Sequence, residues 1–171
     1  MPPVGSDGDR PAAARAVHLP CPAVPEPPGA TWSNALRAGN EVFISGMTAH
    51  PACRERAMDA HAQALECLRK IEALCHAAGV TLDHVLKLTV YLTDVADKDA
   101  VARARRETLN PPYPASTLVG VSALAFPEVI VEIDAVVRLD VRRARDDAAD
   151  AETTPLSAVL TGTATTGATR S

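Results

Sequence analysis

An α+β fold in one domain is the class this sequence predicts, and three observations carry it. Residues 82–93 and 129–140 alternate apolar and polar side chains with the period of two that a strand with one buried face requires. Residues 56–78 instead repeat apolar positions every three to four residues, the interval of a helix with one buried stripe. The 171 residues suit a single domain with a proper core.

Taken in order, residues 1–29 are rich in Pro, Ala and Gly without an apolar period, which predicts a flexible or polyproline-like leader. The folded domain is expected over residues 30–140. It opens on a hairpin in which residues 32–37 and 41–45 flank Ala38-Gly39-Asn40, because Gly and Asn tolerate positive φ. Residues 46–51 then leave the sheet as a loop. The helix over 56–78 has Met58, His61 or Ala62, Leu65, Leu68, Ile71 or Glu72, and Cys75 on its buried stripe, with Gly79 ending it. In the strand at 82–93, Leu86, Leu88, Val90 and Leu92 form one face and Val85, Lys87, Thr89 and Tyr91 the other. Asp94 or Asp97 caps a second helix that runs to about Leu109 on a thin stripe of Val101 and Leu109.

Asn110-Pro-Pro-Tyr-Pro114 cannot continue that helix, because proline lacks the N–H donor and holds the preceding residue extended. Residues 115–121 follow as a short β-branched strand. A turn at Ala125-Phe126-Pro127 leads into the last strand. There Val129, Val131, Ile133, Ala135, Val137 and Leu139 share one face, and Ile130, Glu132, Asp134, Val136 and Arg138 share the other. The mixed second face suits a strand lining a pocket and a strand facing solvent equally, and the period alone does not choose. Residues 141–171, first highly charged and then of low complexity, predict an unfolded tail.

The net charge of −4 leaves no electrostatic footprint for nucleic acid. Arg103, Arg105 and Arg106, like Arg142, Arg143 and Arg145, are clusters diluted by nearby acids and read as solvated surface. Cysteines 21, 53, 67 and 75 show no CxxC spacing, and no secretory signal is recognised, so a reduced, cytoplasmic protein is expected. His50 and Cys53 have HxxC spacing without a second pair of ligands, so no metal site is expected. No apolar run approaches the roughly 18–20 residues of a membrane span.

Candidate chemistry is sparse. There is no Gly-rich phosphate loop and no GxSxG elbow, and Ser45 and Ser116 have no histidine that sequence can place beside them. Glu132 and Asp134 stand two apart on one strand face, about 7 Å between Cα atoms by strand rise. They read as an acid/base pair or as a solvent-facing pair. A glutamate sheltered between Ile130 and Val136 would have a raised pKa, suited to activating water or moving a proton near neutrality.

Five blocks in fixed order carry a family resemblance over residues 30–140. They are Ser33-Asn-Ala-Leu-Arg-Ala-Gly-Asn-Glu-Val-Phe-Ile-Ser-Gly46, Ala64-Leu-Glu-Cys-Leu68 with Ala78-Gly79, Val85 with Lys87-Leu-Thr-Val-Tyr-Leu-Thr-Asp94, Pro114-Ala115, and Val131-Glu-Ile-Asp-Ala-Val-Val137. Together they resemble the YjgF/RidA (Rid) superfamily. The resemblance implies a chorismate-mutase-like α+β protomer, a sheet of about six strands backed by two helices. It also implies a homotrimer whose sheets form a central barrel, with clefts between subunits that hydrolyse reactive imines or enamines without metal or cofactor.

On the matching positions, the resemblance implies Glu132 as the carboxylate that positions the attacking water and Trp32 as the aromatic of the pocket. Gly46 and Met47 fall where the family has Ser-Gly-Gln, Leu118 where it has a cysteine, and Ala102 where it has an asparagine. The arginine that clamps a substrate carboxylate falls on Ser116. Glu132 and Ser116 are thus the expected catalytic positions, and Trp32, Gly46, Met47, Tyr91, Thr117 and Leu118 the expected substrate-binding ones. A hydroxyl does not replace a bidentate guanidinium. The expected small-molecule substrate is therefore an imine- or enamine-type intermediate other than a standard 2-imino acid, with no nucleic-acid or membrane partner. If substrate selection rests on this position, an arginine at 116 restores some 2-imino-acid hydrolysis; the alternative is a cleft remodelled throughout, as Leu118, Met47 and Ala102 suggest, in which one arginine finds no matching geometry. The alternatives are a non-catalytic small-molecule-binding or scaffold trimer, and a specialised step in a catabolic or secondary-metabolite pathway.

Overall fold

The alternation in residues 129–140 divides the molecule in two. In the computed structural model, which describes residues 15–144, Val131, Ile133, Ala135 and Val137 are at most 2% exposed, while Glu132, Asp134, Val136 and Arg138 between them are half-buried. This strand, β6 (Val131–Arg138), lies inside a sheet completed by β1 (Ala16–His18), β2 (Ala35–Ala38), β3 (Glu41–Thr48), β4 (Val85–Leu92) and β5 (Ala115–Gly120). The order is 1-2-3-6-4-5. All neighbours are antiparallel except β4 and β5, which are parallel and joined through a helix, as a parallel connection requires.

Helices α2 (Ala60–Ala77) and α3 (Lys98–Thr108) cover one side, α2 packing on β3, β6 and α3. A single turn, α1 (Ala52–Glu55), precedes them. The core between these layers holds Leu68, Ile71 and Leu74 of α2, Val101 of α3, Leu88 and Leu92 of β4, and Ile133 of β6, all fully buried. Asp59 caps α2 by accepting from the Ala62 N–H at 2.8 Å. Its end is closed by Gly79 at φ +82°, with the Val80 N–H donating to the Cys75 carbonyl. The expected α+β class, with six strands and two long helices, is the fold observed.

Several local expectations are corrected. Residues 15–29 depart from the flexible leader expected of them: β1 adds an edge strand to β2, and Cys21 and Val24 enter the core. The prolines around them sit at an edge, where no ladder donor is needed. Glu26 fastens the segment by accepting from the Asn34 N–H at 2.6 Å. Residues 1–14 and 145–171 lie outside the described residues. The helix begins at Ala60, and its buried stripe is Ala60, Gln63, Ala64, Cys67, Leu68, Ile71, Leu74 and Cys75, displaced from the expected one that included Leu65. In β4 the core residues are Val85, Leu88, Val90 and Leu92; Leu86 is the extra residue of a bulge, since Val85 pairs with Val137 and Lys87 with Val136. Residues 46–48, expected in a loop, continue β3.

Candidate functional site

The side of the sheet away from the helices carries the polar residues of β6, and a second bulge shapes it. Ile44 pairs with Ala135 and Met47 with Ile133, so Ser45 and Gly46 together oppose Asp134. The bulge brings the Gly46 backbone against the Glu132 side chain: a Cβ built on Gly46 would lie 1.9 Å from Glu132 Oε1 and 2.6 Å from its carboxyl carbon. Only glycine leaves room for the carboxylate here. Burial pushes the Glu132 carboxyl above its usual range, and the charge of Asp134 adds to the rise. No donor among the described residues holds the Glu132 oxygens, which leaves them open to a water or a ligand.

Asp134 is differently placed. The Tyr91 hydroxyl donates to its Oδ2 at 3.0 Å, and that bond, with the charge behind it, holds the phenol above its ordinary pKa. Tyr91 stands directly opposite Glu132 across the β4–β6 ladder. Thr48 flanks Glu132 on the other strand. At the sheet edge, Lys87 donates to the Thr117 hydroxyl on this same side. Trp32 is 53% exposed, one residue before Ser33, whose carbonyl accepts from the Ser45 hydroxyl at 2.7 Å. The chain beside Trp32 is thus tied to the bulge, and its aromatic ring is exposed.

The remaining expected residues face elsewhere. Met47 is buried among the core residues of the helix side and cannot touch a ligand over Glu132. Ser116 pairs with Leu88, a core position, so it points to the helix side. Leu118 pairs with Val90 and packs against the same core. Within one chain, Glu132, Gly46, Tyr91 and Thr117 therefore share a side, and Ser116 and Leu118 do not.

Two residues were invisible to pattern reasoning. Gln63 is buried on α2, where its amide donates to the Glu128 carbonyl at 2.8 Å and accepts from the Ile130 N–H at 3.0 Å. It fixes the entry to β6 and hence the register of Glu132. Its signal is a glutamine at a stripe position, which a rule keyed to apolar residues passes over. Arg105, read from sequence as surface, donates to the Ser116 hydroxyl at 2.7 Å. Cys67 and Cys75 are no nucleophiles, since burial pushes both thiols up, Cys75 to about 12. Among the described residues no group of three or more His, Cys, Asp or Glu could hold a metal ion, and no helix is long and apolar enough to cross a membrane.

Comparison with known proteins gives this arrangement a context. Residues 24–139 match the family model described as Endoribonuclease L-PSP. A RutC family protein of Sinorhizobium fredii is 37% identical over 116 residues, covering 66% of this chain and 91% of that protein. A 2-iminobutanoate/2-iminopropanoate deaminase of Dermatophagoides farinae is 26% identical, covering 70% and 93%. Among solved structures, a protein of unknown function from Pseudomonas aeruginosa is 51% identical with a TM-score of 0.73, covering 75% of this chain and 96% of its own. RidA from an Antarctic Psychrobacter is 36% identical with a TM-score of 0.59, covering 64% and 89%.

Proposed function

This chain belongs to the Endoribonuclease L-PSP family, the YjgF/RidA superfamily, and on that premise we propose that it promotes hydrolysis or tautomerisation of a small imine- or enamine-type intermediate. The observation that carries the reading is the Glu132 carboxylate, half-buried over Gly46, raised in pKa and without a hydrogen-bond donor among the described residues. Such a group takes a proton from water as the oxygen adds to the C=N carbon. The nitrogen gains a proton, and the tetrahedral adduct collapses to a carbonyl compound and ammonia. For an enamine, the same carboxyl delivers a proton to the β-carbon first. General-base help of this kind is worth about 10²–10⁴-fold.

The ligand sits between copies of the chain. Leu36, Phe43 and Val119 are exposed on the side that carries Glu132, an apolar surface that association would cover. Ser116 faces the opposite side, so a molecule touching both it and Glu132 bridges two chains. These features support the homotrimer. A non-catalytic binder is the rival reading, favoured by the hydroxyl of Ser116 at the arginine position. RNA cleavage, which the family's description names, finds little support in a chain of net charge −4.

The test compares wild type with Glu132→Gln on a panel of imines generated in situ. Faster imine decay with wild type, lost in the variant, is the expected result. Equal lifetimes with either protein and with none would assign the family scaffold to binding alone.

A further inference from the structure

We infer that residues 139–143 form a strap that locks the start of the edge strand β5, with Arg143 as its bolt and as a positioning residue for Thr117. The strap begins where the matched family region ends, at residue 139. From sequence, Arg143 reads as solvated surface at the head of an unfolded tail. In the structure its side chain is 6% exposed, and the strap runs back along the domain. The Leu139 N–H donates to the Asn40 carbonyl at 2.8 Å and the Arg143 N–H to the Asp83 carbonyl at 2.9 Å. Val141, Arg142 and Ala144 are exposed, so past Leu139 it is polar contacts that hold the strap.

The guanidinium reaches three carbonyls. Nη1 donates to Asn110 at 2.7 Å and to Pro112, and Nη2 donates to Leu82 at 3.0 Å. Asp83 Oδ1 stands 3.8 Å from Nη2 and also accepts from the Asn110 side-chain amide at 3.4 Å. These acceptors need a partner of this kind. Asn110-Pro-Pro-Tyr-Pro114 holds three prolines and has few N–H groups to close its own turns, so its carbonyls are met from outside. A planar fork of donors serves several acceptors at once, which the point charge of a lysine does not. Nε is buried without a partner among the described residues, a polar cost set against the contacts of both Nη atoms.

These contacts join the entrances of two strands. Leu82 lies in the turn Leu82–His84 that leads into β4, and residues 110–112 lead into β5. The two strands are the parallel pair, and they start side by side with Lys87 opposite Ala115. Because β5 is at the edge, β4 alone sets its register within the sheet. A slip of one residue would carry Thr117 off the side of Glu132, and Ser116 away from Arg105. Arg143 bridges the two entrances and fixes that register from outside the sheet, as Gln63 does for β6.

The strap stands apart from the imine/enamine reading, and its test uses the full chain labelled with 3-fluorotyrosine. The chain has two tyrosines: Tyr113 lies in the clamped loop, and Tyr91 is bonded to Asp134 on β6. Arg143→Gln should shift or broaden the fluorine resonance of Tyr113 and leave that of Tyr91 in place. Amide exchange over residues 115–121 should quicken about 10–150-fold, the range of one lost charge-assisted hydrogen bond, with β3 and α2 unchanged. Arg143→Lys, which keeps the charge and loses the fork, should quicken it as well. Arg142→Gln, which removes the same charge from an exposed neighbour, should not. With an imine that is turned over, KM should rise in Arg143→Gln while kcat keeps its value, since Glu132 is untouched; the fluorine and exchange results decide the strap even where no imine is turned over. Wild-type Tyr113 resonance and exchange in Arg143→Gln, the same changes in Arg142→Gln, or faster exchange spread equally over β3 and α2 would overturn the inference. So would failure of both Arg143 variants to fold, since the arginine would then support the whole domain.

Discussion

The two faces of β6 are built from the same alternating strand and have opposite tasks. Toward the helices, Val131, Ile133, Ala135 and Val137 are closed in a core where each side chain fills space. On the other side Glu132 and Asp134 lie under partial cover, one carboxylate tied to Tyr91 and the other open. A strand can serve both because its period is two, and a one-residue slip would exchange core for chemistry. Gln63 and the bulge at Ser45-Gly46 hold the register against that slip. The comparison teaches that the placing of Glu132 depends on a buried polar side chain and on a bulge, and not on the alternation alone.

The largest expected effect falls on the open face. Gly46→Ala would place a methyl where Glu132 Oε1 now lies. Imine turnover should drop about 10²–10⁴-fold, the share of a displaced general base, with the far-UV circular dichroism unchanged. On the core face, Ile133→Ala should cost about 2–5 kcal/mol in chemical denaturation. Val136→Ala, on the next position and the other face, should cost well under half of that. Equal losses would erase the distinction between the faces.

A smaller effect concerns Ser116. From sequence, Ser116→Arg restores some 2-imino-acid hydrolysis if substrate selection rests on this position. With Arg105 already donating to that residue, the added guanidinium meets a like charge and removes the hydroxyl that orients Arg105. That contact favours the alternative of a remodelled cleft, and the expected outcome is unchanged or slower decay of 2-aminoacrylate at equal protein concentration. The smallest effect is that of Tyr91→Phe, which removes the donor to Asp134 and should change stability by about 0.5–1.5 kcal/mol.

Much of this was legible in the residues. The alternation of 129–140, the hairpin turning at Gly39 with φ +60°, and the cap at Gly79 each follow from a local rule that no distant contact overrides. What was not legible breaks a period or spans the chain. The bulges at Gly46 and Leu86 each insert a residue into a period of two, so the faces change side where the pattern continues. The strand at Ala16–His18 is three residues long and has meaning only beside β2. Arg105 and Ser116 meet because α3 lies over the edge strand, and nothing in their separation along the chain marks the contact.

Glu132 gives the account its sharpest test. Its carboxyl is raised by burial and by Asp134, so the ionised form that accepts a proton accumulates only as pH climbs above the ordinary carboxylate range. The same shift has a stability consequence. Below the unfolded-state pKa both states are protonated; stability falls as pH rises from there to the folded-state pKa, above which the folded state carries a disfavoured charge, so Glu132→Gln should stabilise the fold at neutral pH and not in acid. The direct measurement is the pH dependence of imine hydrolysis by wild type. The account predicts a rate that rises with pH along a limb centred above the ordinary glutamate range, and a limb that is missing in Glu132→Gln. A limb of the same position in both proteins would contradict it, and would move the proton transfer to another group.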